Sequence, residues 1–222
     1  MRKFLLASAM VLAAPFIAGN AVQAGPKLGL TVASGDFSRF QYVEFGADGG
    51  THAFDKVIAG NFTVDNLGTQ LFAPDFIDLA TFDLSSSTGG TLIITLTGSG
   101  FTSLPGVSNW LTQFTGNVSN GTAAVSVASY LDNSDTLNNA GCAVGCTLLS
   151  NVVLNGSNAT ASTFNDGSFA LTEVITITTT GSARLSVDAS LSDVPEPMSI
   201  ALLGTGLVGF GLARRRGAQE AA

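Results

Sequence analysis

The chain has 222 residues with nine basic and sixteen acidic side chains, and its net charge is −7. This negative charge disfavours nucleic acid as a partner, because phosphates repel it. The small share of Lys, Arg and Glu, together with many Ser, Thr, Gly, Asn and Val residues, favours short strands joined by turns over amphipathic helices. Composition therefore excludes a basic nucleic-acid-binding protein and disfavours an all-helical one.

The first 24 residues are typical of a secretory signal peptide. Two basic residues precede an apolar run, Phe4–Ala18, and small residues follow at Val22 and Ala24. We predict cleavage between Ala24 and Gly25. The alternative is an uncleaved anchor helix. Pro15 within the run and Gly19 just after it disfavour this alternative.

Residues 25–192 are predicted to form one domain of ordinary size. Residues 25–193 hold four basic and fourteen acidic side chains, a net charge of −10. We predict an all-β fold, a jelly-roll-like β-sandwich of about ten short strands, with a barrel as the alternative.

The strands are predicted from β-branched and aromatic runs bounded by turn residues. Two of them, on either side of Ala59-Gly60, are predicted to form a hairpin, and Thr91–Thr97 is expected to be central. Ser190 to Val194 is predicted to be a short tether. The predicted strands are Phe37–Phe45, His52–Ile58, Asn61–Asp65, Ile77–Leu84, Thr91–Thr97, Trp110–Phe114, Ala123–Leu131, Leu148–Leu154, Asn158–Phe164, Phe169–Thr178 and Ala183–Leu191.

Two cysteines, Cys142 and Cys146, are separated by three residues in a loop rich in Asn and Asp. In an exported protein this spacing predicts one small disulfide loop. A zinc site is the alternative, and it is disfavoured because His52 is the only histidine. We predict no metal ligands among these residues.

We predict no catalytic residues. His52 does not accompany a recognisable nucleophile motif, and it is expected at a strand edge. The alternative is a glycoside hydrolase that uses Glu44 and Glu173, because two carboxylates across a cleft can hydrolyse glycosides when their spacing is right. Neither glutamate lies in a glycosidase motif, so exposed strand positions are expected for both.

Several aspartates have oxygen ligands of the kind that calcium binds in acidic extracellular modules. They do not match a defined calcium loop, so solvated turn residues are the other interpretation, and calcium remains a possible cofactor. The two groups are Asp75, Asp78 and Asp83, and Asp132 with Asp135.

Residues 193–222 have three parts in a fixed order. Val194-Pro195-Glu196-Pro197 stays extended and accessible, because two prolines remove backbone donors and restrict φ. An uncharged apolar run follows from Met198 to Ala213; as a helix it would span about 24 Å, which predicts a short transmembrane helix. Arg214-Arg215-Arg216 closes the run and predicts a cytoplasmic end.

This stretch resembles the PEP-CTERM sorting signal of exported bacterial proteins, in which a Pro-Glu-Pro motif, a Gly- and Leu-rich membrane segment and a basic cluster occur in this order. The resemblance implies processing by an exosortase, a membrane protease-transpeptidase, at or near Pro195-Glu196-Pro197. It also implies an inner-membrane precursor that faces the periplasm and is then delivered to the cell surface or matrix.

Three functions follow for the mature domain. The first is a non-enzymatic surface or matrix protein, because the resemblance associates this route with exopolysaccharide and biofilm. The second is a carbohydrate-binding β-sandwich, with or without the assistance of calcium, in which Trp110, Tyr42 or Tyr130 stacks on sugar rings. The third, less favoured, is the glycoside hydrolase described above.

Overall fold

The computed structural model describes residues 26–46, 48–72, 76–103, 106–137, 146–164 and 167–194. Within these ranges the chain forms fourteen strands and no helix, which confirms the predicted all-β class. Accordingly, this part of the chain contains no helix that is long and apolar enough to cross a membrane. The predicted signal peptide and C-terminal transmembrane helix lie outside the described residues.

The strands are joined mostly by short turns. In chain order they are β1 (Lys27–Ser34), β2 (Phe37–Glu44), β3 (Gly49–Phe54), β4 (Val57–Ala59), β5 (Phe62–Asp65), β6 (Leu67–Phe72), β7 (Phe76–Ser86), β8 (Gly90–Ser103), β9 (Gly106–Asn120), β10 (Ala123–Asp132), β11 (Cys146–Val153), β12 (Gly156–Phe164), β13 (Gly167–Thr179) and β14 (Ala183–Val194).

Two antiparallel sheets contain all of these strands. The first sheet has the order β11-β10-β13-β8-β1-β2, and the second has the order β12-β9-β14-β7-β5-β4, with β6 paired to β7 and β3 paired to β6. From β7 to β14 the chain places four strands in each sheet, in the order of a double-sheet jelly roll. The strands β1 to β6 extend the two sheets beyond β8 and β7.

A single hydrophobic core joins the two sheets because alternate residues of each strand point inward. On β14, for example, Leu185, Val187, Ala189 and Leu191 are buried, and the polar residues that alternate with them are only half-buried. Aromatic rings connect the sheets: Trp110 of β9 meets Phe169 of β13 edge-on, with ring centroids 5.9 Å apart. These contacts place the core where the predicted β-sandwich requires it.

The prediction of about ten short strands is wrong in number and in length. Fourteen strands form within the described ranges, and β9 alone has fifteen residues. Strand β8 continues through Gly98 and Gly100, which the sequence suggested as its boundary, because β13 pairs with it on both sides of an irregularity at these residues. Neither β1 nor β6 was predicted.

The predicted tether, Ser190 to Val194, is also wrong. These residues form the end of β14, which lies between β7 and β9 in the second sheet. Ser192 pairs with β7, and Val194 still pairs with Asn109 of β9. The strand therefore extends to the first residue of the Val-Pro-Glu-Pro sequence, with no flexible spacer before it.

Candidate functional site

The outer face of the second sheet, which we call the polar face, carries a row of hydrogen-bonding side chains. The neighbours of these residues along each strand, such as Ile77 and Leu191, point into the core, so the row itself points outward. The row crosses four adjacent strands and consists of Gln70 of β6, Asp78 of β7, Ser190 of β14 and Gln113 of β9.

Shallow cavities lie along the polar face on both sides of this row. The largest of those described is an open cleft of about 430 Å³, and its polar lining includes Asp83, Asn117 and Arg184. A second cavity, of about 220 Å³, lies against His52 and Gln70. Amide, hydroxyl, carboxylate and guanidinium groups in an open cleft can exchange hydrogen bonds with the hydroxyl groups of a sugar chain.

Two aromatic rings lie on the polar face next to the row. Phe72 of β6 and Phe76 of β7 pair across the strands, and their rings stack with centroids 6.2 Å apart. Phe72 is 40% exposed although it is apolar. An exposed ring beside a polar row offers an apolar surface on which a sugar ring can pack.

Three carboxyl groups on and below the polar face influence one another. Burial, and to a smaller extent the negative charge of Asp188, together raise the pKa of Asp78 to about 6. Glu173 lies in the core beneath them, and burial raises its pKa well above the usual value, with smaller contributions from Asp78 and Asp188. The sandwich therefore favours the protonated forms of Asp78 and Glu173.

Glu173 lies in a polar part of an otherwise apolar core. On β13 it is the cross-strand neighbour of Ser129, which accepts a hydrogen bond of 3.0 Å from Thr112 of the other sheet. Ser150 donates in turn to Thr112, at 2.6 Å. The carboxyl oxygens of Glu173 have no hydrogen-bond partner among the described residues, which explains the strong effect of burial on its pKa.

The residues suggested for hydrolysis do not share a cleft. Glu44 is exposed at the end of β2 and forms an ion pair of 3.2 Å with Lys27, whereas Glu173 is completely buried. The prediction that both glutamates are exposed is therefore wrong for Glu173. His52 lies on β3, which pairs only with β6 among the described strands, and its ring packs edge-on against Phe54. The expected strand-edge position of His52 is confirmed.

The aspartates suggested for calcium do not come together. Asp132 accepts hydrogen bonds from the backbone and hydroxyl of Ser134 and from Thr136. Burial raises the pKa of Asp132, but these hydrogen bonds outweigh burial and lower it below the usual value. Asp135 accepts a hydrogen bond of 2.6 Å from the backbone of Gly100.

The Asp135 contact holds residues 133–137 against β8. Asp78 and Asp83 point outward from β7 on either side of a bulge, and Asp75 lies outside the described residues. Among the described residues, no group of three potential metal ligands forms.

The predicted disulfide falls partly outside the described residues. Cys146 begins β11, and the described part of the chain contains no free cysteine. Cys142 lies outside that part, so the bond between the two stays a prediction.

The three aromatic residues suggested for sugar stacking differ in exposure. Trp110 is buried in the core, so the suggestion is wrong for this residue. Tyr130 is half-buried. Tyr42 is 62% exposed on β2, where its ring stacks with that of Phe40.

Of the row on the polar face, the sequence suggested only Asp78, as a calcium ligand, although one signal for the face is visible in the sequence. Every second residue from Ser186 to Ser192 is polar and alternates with an apolar residue, as expected for a strand with one outer face. The contributions of β6, β7 and β9 come from distant parts of the chain, and only the sheet register brings them beside β14.

Comparison with known proteins identifies the C-terminal segment. Residues 193–216 match the PEP-CTERM protein-sorting motif, so the chain carries this motif, and the domain before it has no family assignment. The motif indicates an exported protein that is anchored in the membrane before an exosortase processes it. Of the motif, Asp193 and Val194 lie in β14; Pro195-Glu196-Pro197 and Arg214-Arg215-Arg216 lie outside the described residues.

The domain itself has weak structural matches. One is the cupin domain of Schizosaccharomyces pombe Cnp3, at 10% identity over 71% of this chain and 79% of that chain, with a TM-score of 0.20. Another is the Gt strain of infectious bursal disease virus, at 11% identity over 78% and 67%, with a TM-score of 0.18. These scores are too low to support an argument. No curated protein matches the chain.

Proposed function

We propose that this chain delivers a non-enzymatic β-sandwich to the cell surface or extracellular matrix, where it associates with exopolysaccharide. The observation that carries the proposal is the sorting motif that directly follows the last strand. The signal peptide directs export, the apolar run holds the precursor in the inner membrane, and an exosortase cuts near Pro195-Glu196-Pro197 on the periplasmic side.

Replacement of Pro195-Glu196-Pro197 by three alanines tests the sorting step. We expect a full-length precursor that stays in the membrane fraction, whereas the wild-type chain gives a species that begins at Gly25 and ends near Pro195 to Pro197. Intact mass measurements on the membrane fraction and on the culture supernatant distinguish the precursor from the processed species. Normal release of the alanine variant would contradict the proposed role of the motif.

A second proposal concerns the ligand, and the polar face supports it. Gln70, Asp78 and Gln113 present amide and carboxyl groups in one row, and the exposed Phe72 ring lies beside them. This combination of polar groups and an aromatic surface suits an extended, neutral polysaccharide. A strongly acidic polysaccharide is less suitable, because residues 25–193 carry a net charge of −10.

Substitution of both glutamines by alanine tests this face. Each lost hydrogen bond contributes about 0.5–1.5 kcal/mol, so Gln70→Ala with Gln113→Ala should weaken binding to exopolysaccharide from the host by about tenfold or more. The control is Ser38→Ala with Thr178→Ala, two exposed positions on the other sheet. Equal binding of exopolysaccharide by both double variants in a sedimentation assay would exclude the polar face as the binding site. Repeating the assay with calcium and with a chelator tests the possible cofactor.

We also propose that Cys142 and Cys146 form a disulfide that closes the loop after β10. The short spacing and the absence of a free cysteine among the described residues support it. Alkylation of the denatured, non-reduced protein should add no label, and alkylation after reduction should add two. Labelling before reduction would exclude the bond.

A further inference from the structure

Strand β2 is an unprotected edge of the first sheet. Among the described strands it pairs with β1 alone, and that pairing runs through eight residue pairs without a bulge. Native sheets usually protect such edges with bulges, prolines, very short strands or charged side chains. The charged residues of β2, Arg39 and Glu44, each form an ion pair within the same chain. Strand β11, at the opposite edge of the same sheet, is paired irregularly with β10 near Tyr130, whereas β2 has neither a bulge nor a proline.

The side chains of this edge are unusual for an exposed strand. Phe40 is 42% exposed and Tyr42 is 62% exposed, and their rings stack on the outer face with centroids 6.3 Å apart. On the opposite face, Oε1 of Gln41 is buried and has no hydrogen-bond partner among the described residues. The edge therefore combines exposed aromatic surface with an unsatisfied acceptor.

This edge is also the place where the acidic domain is best neutralised. Two of the four basic residues between 25 and 193 form ion pairs with or within this strand. Lys27 pairs with Glu44 at the end of β2, and Arg39 of β2 lies 4.0 Å from Asp55. Two copies that approach through β2 thus avoid most of the repulsion that a net charge of −10 produces elsewhere.

We propose that β2 pairs with β2 of a second copy of this chain, antiparallel and centred on Gln41, so that the first sheets of two molecules form one continuous sheet. In this register Phe40 of each copy lies opposite Tyr42 of the other copy, so the interface contains two Phe–Tyr pairs. Cross-strand aromatic pairs stabilise antiparallel sheets. The same register places the two Gln41 side chains opposite each other, where each Oε1 can accept a hydrogen bond from the other amide.

A cysteine at the centre of this register tests the proposal in the full-length chain expressed in its host. With Gln41→Cys, the two new sulfurs lie across one strand pair, within reach of a disulfide. With Ser38→Cys, the matched control, six residues separate the two positions along the paired strands, about 20 Å. After mild oxidation of intact cells, we expect at least about tenfold more covalent dimer from Gln41→Cys than from Ser38→Cys.

A second experiment introduces a positive charge on β2. Adding Tyr42→Lys to the Gln41→Cys chain should abolish the dimer, because it removes both aromatic pairs. Adding Val153→Lys, at a position that is 70% exposed on β11, should leave it unchanged. Three results would overturn the proposal: equal dimer from the two cysteine positions, a monomer whose new thiol reacts with a maleimide but does not cross-link, or a cross-linked product whose mass is not twice that of the chain.

Discussion

The carboxyl group of Glu173 stays protonated to a higher pH than that of an exposed glutamate, because burial among uncharged groups opposes its ionisation. A raised pKa means that the folded state binds the proton more tightly than the unfolded state, in which the pKa is about 4.3. The stability that Glu173 contributes is therefore fully present below about pH 4 and is lost as the pH rises through the folded-state pKa. The fall is at most about 1.4 kcal/mol per pH unit.

Glu173→Gln should remove most of this dependence, because the amide has nearly the same shape and does not ionise. The single tryptophan, Trp110, is buried in the core and reports unfolding by fluorescence. We expect the wild-type midpoint in urea to fall between pH 5 and pH 8 and the variant midpoint to fall less, because only the contribution of Asp78 is left. Glu44→Gln, at an exposed ion pair, is the control and should keep the wild-type slope. If the urea midpoints of Glu173→Gln and the wild type fall equally with pH, Glu173 does not titrate as argued.

Asp78 should show its own transition near pH 6. Its pKa is raised by burial and by Asp188, so its contribution to stability is also lost as the pH rises from about 4 through 6. In Asp78→Asn this transition disappears, and the pKa of Glu173 falls because one neighbouring negative charge is gone. Carboxyl chemical shifts followed by NMR across pH 3 to 9 measure both effects. An unchanged titration of Glu173 in this variant would exclude the coupling between the two groups.

At the scale of the strand, Gly98 allows β8 to pass close to the second sheet. A Cβ atom at this position would lie 2.6 Å from Ile77 and 2.8 Å from Phe101, closer than packed side chains approach. Gly98→Ala should therefore destabilise the domain by about 1–3 kcal/mol through overpacking. Gly46→Ala is the matched control, since nothing lies within 4 Å of its added Cβ. Equal urea midpoints for the two variants would mean that the core accommodates the added methyl group at position 98 without loss of stability.

The same glycine shows why strand boundaries were harder to predict than strand type. Val, Ile, Thr and Phe runs identified most strands, because β-branched and aromatic residues suit a pleated, half-buried surface. Glycine marks a turn in a sequence, but Gly98 is required by packing within β8, which the sequence does not show. The end of β14 was likewise predicted to be a tether, because its pairing with β9 depends on residues about eighty positions away.

For the whole molecule, the sorting segment was more predictable than the candidate site. The segment is contiguous, and its parts are recognised by composition and order, so residues 193–222 were identified from the sequence, and residues 193–216 of them match the motif. The polar face depends on register: Gln70, Asp78, Ser190 and Gln113 meet only because four strands align. A shift of one residue in any strand would turn its side chain into the core.

The position of β14 limits where the precursor can be cut. This strand lies between β7 and β9, so its loss would leave both neighbours without a partner along one edge and would expose the core that Ala189 and Leu191 cover. A chain of residues 25–194 should therefore fold with native Trp110 fluorescence and a cooperative urea transition. A chain of residues 25–187 should be unfolded, because a total stability of about 5–15 kcal/mol cannot absorb the loss of half of a central strand. If the shorter chain folds equally well, the strand does not constrain processing. If it does not fold while the chain of residues 25–194 does, a productive cut must fall after Val187, and a cut directly before Pro195 leaves a folded domain.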